Sequence, residues 1–188
     1  MPELQVPIRT ERLSLREFRR ADLDGIFAYS SDPRVTRHLF FSPRDADATA
    51  EYLDGLLASQ REIPRTRFEL AVERNDSGLL LGACDLTMIE PHVFDLGYML
   101  GAPHWGRGYA TEIAFALTHA AFRDLRAERV ISTVEINNRA SIRVLEKIGM
   151  RWEAVFRKHR RAKHRWWDCH LYILPREVWE SAHAPRDS

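Results

Sequence analysis

The sequence predicts an α+β or mixed-sheet fold. Two observations lead there. Alternating or β-branched strand-like segments are interleaved with amphipathic helical ones. Three strands also run consecutively in mid-chain before strand and helix begin to alternate, which argues against a regular βαβ winding. The expected order is β-α-α-β-β-β-α-β-α-β-β.

Arg12–Phe18, with Leu13 and Leu15, reads as the first strand. Asp22 opens a helix with Leu23, Ile26 and Phe27 on one face, and Asp32-Pro33 breaks it. Asp45–Gln60 is a second helix, with Ala50, Leu53, Leu56 and Leu57 at helical spacing. Arg67–Glu73 alternates Phe68, Leu70 and Val72 with Arg67, Glu69 and Glu73, as a half-buried strand does. Asn75-Asp76-Ser77-Gly78 is a turn. Leu79–Ile89 and Val93–Leu100 are further strands, separated by Glu90-Pro91-His92. A helix over Ala110–Leu125 carries Ile113, Leu117, Ala120 and Ala121 on its apolar face. Arg129–Ile136 is a β-branched strand. Asn138–Ile148 is a helix ended by Gly149, which suits a left-handed C′ position. Arg151–Arg157 and Trp166–Leu174 read as a terminal hairpin, Pro175 to Trp179 as a short last turn, and Ser181–Ser188 as a frayed end.

The 188 residues suit one domain, 1–188, with its core over about residues 8–180. Hydrophobic residues make up 45% and charged residues 29%, as in ordinary soluble domains, and the net charge of +1 gives no bulk attraction to nucleic acid or membrane. No direct nucleic-acid binding is expected. The basic stretch Arg157, Lys158, Arg160, Arg161, Lys163 and Arg165 reads as a solvated hairpin tip. Cys84 and Cys169 lie in apolar strands and are expected to be buried and reduced. No apolar run is long enough to span a bilayer, and Met1–Pro7 lacks the features of a signal peptide, so a cytoplasmic location is the default. The eight histidines form no metal-binding spacing with cysteine or glutamate, and no metal is expected.

The segment Gly101–Glu112 joins a strand to a helix. Its glycines and the helix start together make an anion site: the first helical N–H groups lack internal partners, and glycine lets the backbone approach a phosphate. A plain strand-to-helix turn explains the same glycines. Gly101 and Gly106 have the spacing of a nucleotide P-loop, but Arg107 and Gly108 stand where lysine and the Mg²⁺-binding hydroxyl belong. Gly106-Arg107-Gly108 begins a dinucleotide fingerprint, yet it lies mid-chain after several strands.

Trp105-Gly-Arg-Gly-Tyr-Ala-Thr-Glu112, preceded by Leu96-Gly-Tyr-Met-Leu100, resembles the pyrophosphate loop of the GNAT acetyltransferases. Trp105 takes the place of the family's usual Gln or Arg, while Gly108 and Ala110 fit. Thr10-Glu-Arg-Leu13, Asn138-Arg-Ala-Ser141 with Leu145-Glu-Lys-Ile-Gly-Met150, and Trp167-Asp168 with Tyr172 are similar to the branch that acetylates N-termini of ribosomal proteins. The likeness covers about Thr10 to Trp179.

The resemblance implies a GNAT-like α+β fold, a mixed and mainly antiparallel twisted sheet flanked by helices, with acetyl-CoA as cosubstrate. It implies that Val93–Leu100 and Arg129–Ile136 splay apart, with a bulge at Gly97 and backbone groups of Tyr98, Met99 and Leu100 free for the pantetheine arm. The pyrophosphate would rest on the loop of Trp105, Gly106, Arg107, Gly108, Tyr109, Ala110 and Thr111. Asn138 and Ser141 would complete the cofactor segment, although Asn138 also suits a helix N-cap. Amine attack on the thioester needs a base and a proton donor for the leaving thiolate. Asp95 and Glu69 are equal candidates for the base, with Asp85 behind. Ser141 is the hydroxyl available as donor, since its helix has no tyrosine. A backbone N–H near Met99 would hold the oxyanion. The acceptor would be a primary amine, first a protein N-terminal α-amine, with small molecules and aminoglycosides as the alternative. A non-catalytic acyl-CoA sensor is the reading from another class, and a homodimer rests on base rate alone.

Overall fold

A computed structural model describes residues 3–183. It holds eight strands in one sheet, in the order β1-β2-β3-β4-β5-β6-β8-β7. These are β1 (Ile8–Arg9), β2 (Leu13–Arg16), β3 (Arg67–Arg74), β4 (Leu80–Glu90), β5 (Val93–Leu100), β6 (Arg129–Glu135), β7 (Arg151–Ala162) and β8 (Arg165–Pro175). The helices are α1 (Leu23–Ser30), α2 (Pro33–Thr36), α3 (Ala46–Ser59), α4 (Tyr109–Arg123), α5 (Arg139–Lys147) and α6 (Arg176–His183). All neighbouring pairs are antiparallel except β5 with β6.

Both faces of the sheet are covered. On one, Ile113, Leu117 and Ala121 of α4 pack on Leu70, Leu86 and Phe94 in the main core. On the other, Ile26 of α1 and Leu53 and Leu56 of α3 cover Ala71 and Ala83. Each fully buried Leu or Ile contributes about 1.5–3 kcal/mol. β3 is therefore buried on both sides, not half-buried as its alternation implies, because small Ala71 admits the second layer.

Helical spacing alone misplaces three apolar residues. Leu23 and Phe27 are exposed, and Tyr29 joins Ile26 in the core of α1. Ala50 is exposed on α3, where Thr49 turns inward and donates to the Asp45 carbonyl. Asp32-Pro33 does more than end α1: Asp32 accepts from the Arg34 N–H at 2.8 Å and caps the single turn of α2. The basic stretch lies at the tip of a hairpin longer than expected, whose turn places Lys163 and His164 at positive φ. The last turn extends into α6, so Ser181 is helical; residues 184–188 of the expected frayed end lie outside the described residues. No helix among the described residues is long and apolar enough to cross a membrane.

The feature that positions the site is the β5–β6 pairing. It covers only Val93–Asp95 against Arg129–Ile131, and beyond Asp95 the two strands part. No bulge occurs at Gly97, which pairs in register with Asp85; the irregularity in that ladder lies between Met88 and Glu90.

Candidate active site

Where β5 and β6 part, a cavity of about 280 Å³ passes between the sheet's two faces. β5 has a different character on each side. Gly101 N–H donates to Leu81 on β4, and Gly97 and Met99 are the register partners of Asp85 and Ala83. Backbone direction alternates along a strand, so Leu96, Tyr98 and Leu100 turn theirs toward the gap. The Leu96 carbonyl accepts from Ser132 Oγ at 2.9 Å, and the Leu100 carbonyl accepts from Trp105 Nε1 at 2.8 Å. Tyr98 lies between them. Of the three backbone contacts expected, Met99 faces β4.

On the α5 side, the Tyr98 hydroxyl and Ser141 Oγ are 2.8 Å apart. Burial pushes the Tyr98 phenol up to about 12, against the hydrogen bond from Ser141, so it keeps its proton at neutral pH. Asn138 caps α5, its Oδ1 accepting from the Ser141 N–H at 3.2 Å, and it also lines the cavity. Sequence reading found Ser141 but not its partner, because the tyrosine comes from a strand 43 residues away and not from the same helix.

On the opposite side lie the carboxylates. Glu69 and Asp85 are cross-strand partners and line the cavity. Glu69 is engaged by Arg67 at 2.9 Å and by the Tyr52 hydroxyl at 3.2 Å. Asp85 leans over Gly97, where a Cβ would stand 2.2 Å from its Oδ1; the missing side chain makes its room. Burial, with the charges of Glu69 and Asp95 adding, pushes the Asp85 carboxyl up to about 7. Burial likewise lifts Asp95 to about 6. Asp95 stands on the last rung of the β5–β6 ladder, and its Oδ1 is buried with no partner among the described residues. It is not among the residues that line the cavity. Asp85 thus combines a place on the cavity wall with a carboxyl lifted toward neutrality.

Sequence reading also missed His38. Its Nδ1 lies 2.8 Å from Oε2 of buried Glu135, which accepts from Asn137 as well. His38 comes from the chain after α2, and nothing in its local pattern marks it. No cluster of three or more His, Cys, Asp or Glu among the described residues could hold a metal ion.

The glycine loop stands at the start of α4. Gly106 and Gly108 take φ of +73° and +82°, which glycine adopts without steric cost. Gly108 is the N-cap, and the Glu112 N–H bonds back to its carbonyl. Helix geometry leaves the N–H groups of Tyr109, Ala110 and Thr111 without intrahelical acceptors at the positive end of the dipole. The loop is tied down by the link between β1 and β2. Glu112 accepts from Thr10 Oγ1 at 2.5 Å and from Arg12 Nε at 2.7 Å, and Arg12 Nη1 donates to the Arg107 carbonyl at 3.0 Å. Arg12 also lies over the Tyr109 ring. A second hollow, of about 660 Å³, adjoins the loop and is lined by Gly108, Thr111, Phe115, Arg9 and Lys147 among others.

The family described as Acetyltransferase (GNAT) domain matches residues 12–151. The chain is 31% identical over 168 residues to the uncharacterized N-acetyltransferase p20 of Bacillus licheniformis, covering 88% of this chain and 93% of that one. Among solved structures, a GNAT-family acetyltransferase from Bacillus anthracis superposes with a TM-score of 0.80 at 26% identity, over 90% of this chain and 98% of that one. A spermidine N-acetyltransferase from Vibrio cholerae, solved with CoA and spermine, gives a TM-score of 0.76 at 17% identity over 90% and 99%, a likeness of fold alone.

Proposed function

Because the chain belongs to the GNAT acetyltransferase family and is an N-acetyltransferase, we propose that it moves an acetyl group from acetyl-CoA to a protein N-terminal α-amine. The observation that carries this reading is the gap between β5 and β6, with hydroxyls on one side and carboxylates on the other.

The residues present fit the cosubstrate. The N–H groups at the start of α4 would hold the pyrophosphate, with Arg107 beside them. Arg9 and Lys147 suit the nucleotide end in the larger hollow. The edge of β5 at Tyr98 offers backbone groups to the pantetheine amides, as in strand addition. Acetyl-CoA supplies an activated thioester.

Asp85 would take the proton of the attacking amine, directly or through water. A base titrating near neutrality is suited to that task. The carboxylates of Asp95 and Glu69 then hold Asp85 basic by repulsion rather than act themselves. Tyr98 would deliver a proton to the leaving thiolate, with Ser141 fixing its hydroxyl. As the acyl bond breaks, the amine nitrogen gains the acetyl group and the sulfur gains a proton. The cavity lies just below the ~300–1,000 Å³ of pockets that enclose drug-sized ligands, so it suits an amine-bearing end rather than a whole aminoglycoside. The buried free cysteines fit a reducing, cytoplasmic compartment.

The test is incubation with acetyl-CoA and a peptide library, read by mass spectrometry. Acetylation confined to α-amines supports the reading. CoA release with no acetylated amine would favour a different acyl-CoA chemistry.

A further inference from the structure

The cavity has a cationic wall that the transfer mechanism does not use. Arg44 lines it, with its guanidinium between two rings, 4.0 Å from the Phe41 centroid and 3.9 Å from that of Tyr52. Its backbone is fixed as well, since the Arg44 N–H donates to the Ser30 carbonyl at 3.0 Å. Stacking on both faces holds the plane of the guanidinium and leaves its edge, where the N–H donors are, for hydrogen bonding. Its Nη1 is buried and has no hydrogen-bond partner among the described residues. A buried donor left unpaired is destabilising, and a charged one more so. The hydroxyl of Tyr29, buried beneath α1, is unpartnered in the same sense.

Arg44 is one side chain away from the carboxylates. Tyr52, on which it stacks, donates its hydroxyl to Glu69, and Glu69 pairs across the sheet with Asp85. The cavity therefore has two poles. One accepts the protons of an amine; the other offers N–H donors to an oxygen.

We infer that Arg44 selects the acceptor by binding an oxygen next to its amine, a carboxylate or the first amide carbonyl of a peptide. This rests on the acetyltransferase reading and narrows its substrate class. An α-amine followed by a carbonyl satisfies both poles. A polyamine would bring a second cation against Arg44 and leave the guanidinium edge unpaired. Sites built to hydrogen-bond a substrate group discriminate strongly against analogues that lack it.

The experiment compares four acceptors with the full chain and acetyl-CoA: a free amino acid, its amide, a short peptide with the same first residue, and spermidine, with a matched alkylamine as reference. The wild type is expected to favour oxygen-bearing amines over the alkylamine and spermidine by about 50-fold or more in kcat/KM. Arg44→Gln is expected to remove that preference, chiefly through the acceptor KM, while Arg44→Lys retains part of it. Acetyl-CoA binding by each variant, followed calorimetrically, reports whether the fold is kept and should be unchanged. Preference for the amino acid over its amide identifies a carboxylate as the bound group; equal use of amide and peptide identifies a chain N-terminus. Equal turnover of all amines by the wild type, or an unaltered preference in Arg44→Gln, overturns the inference and leaves the acetyltransferase reading intact. Acetyl-CoA binding without acetylation of any amine overturns both.

Discussion

The hydroxyls of Tyr98 and Ser141 meet at 2.8 Å, joining the edge of β5 to the first turn of α5 across the opening in the sheet. Burial keeps the Tyr98 phenol protonated at neutral pH, so its hydroxyl is available to donate to a leaving thiolate, and Ser141 sets its direction. Tyr98→Phe is expected to lower kcat by about 100-fold, in line with the loss of a positioned acid. Ser141→Ala should lower it less, and the double variant should be no worse than Tyr98→Phe alone. Steady-state thiol release measures this; additive losses would show that the two hydroxyls act independently.

As the proposed base, Asp85 is expected to set the pH dependence. Its carboxyl is lifted to about 7, so it becomes a usable base only as the pH rises through neutrality. With acetyl-CoA saturating, kcat is expected to climb to a plateau with an inflection near pH 7. Asp85→Asn should lose about 100-fold in kcat, and the inflection with it. An inflection that survives in Asp85→Asn would move the base elsewhere.

The same carboxyl should make the fold less stable at alkaline pH. The unfolded chain releases this proton near 3.8, whereas the folded state holds it to about 7. Across that window the folded state binds more protons, so stability falls as pH rises from about 4 to 7 and stays lower above. Asp85→Asn removes the penalty and can still accept from Thr87 Oγ1. It should be more stable than wild type at pH 8 by up to about 4 kcal/mol, since the proton is held from 3.8 to about 7 and each pKa unit is worth ~1.4 kcal/mol, and no more stable near pH 4. Denaturant titration at the two pH values measures the difference.

Glu112 fastens the glycine loop to the link between β1 and β2. It accepts from Thr10 and from both the backbone and side chain of Arg12, which in turn holds the Arg107 carbonyl. Glu112→Ala is expected to free the loop and raise the acetyl-CoA Kd about 10-fold, ~1.4 kcal/mol, with kcat changed less than about twofold. Calorimetric titration would detect it. A fall in kcat with unchanged affinity would mean that the contact serves α4 rather than the loop.

Local pattern carried much of the fold. The glycine turn before α4, the α4 apolar stripe and the left-handed Gly149 stop were legible because each depends on neighbours in sequence. The rest depends on distant partners. Ala71 and Ala83 are buried because α1 and α3 cover them, which an alternation pattern cannot convey. Thr10 and Arg12 stood out as part of a familiar motif, but their grip on Glu112 appears only when the link between β1 and β2 is laid beside α4. The tyrosine partner of Ser141 and the cavity position of Asp85 follow likewise from strand register. His38 and Arg44, from the segment between α1 and α3, had no local signal at all.

The most direct measurement is acetyl transfer from acetyl-CoA to a peptide α-amine by wild type, Asp85→Asn and Tyr98→Phe, with acetyl-CoA affinity determined in parallel. The expected result is an acetylated peptide and an equal amount of free CoA for the wild type, with turnover lost by about 100-fold in both variants and affinity retained. Turnover in Asp85→Asn and Tyr98→Phe equal to that of the wild type would contradict the proposed roles of both residues.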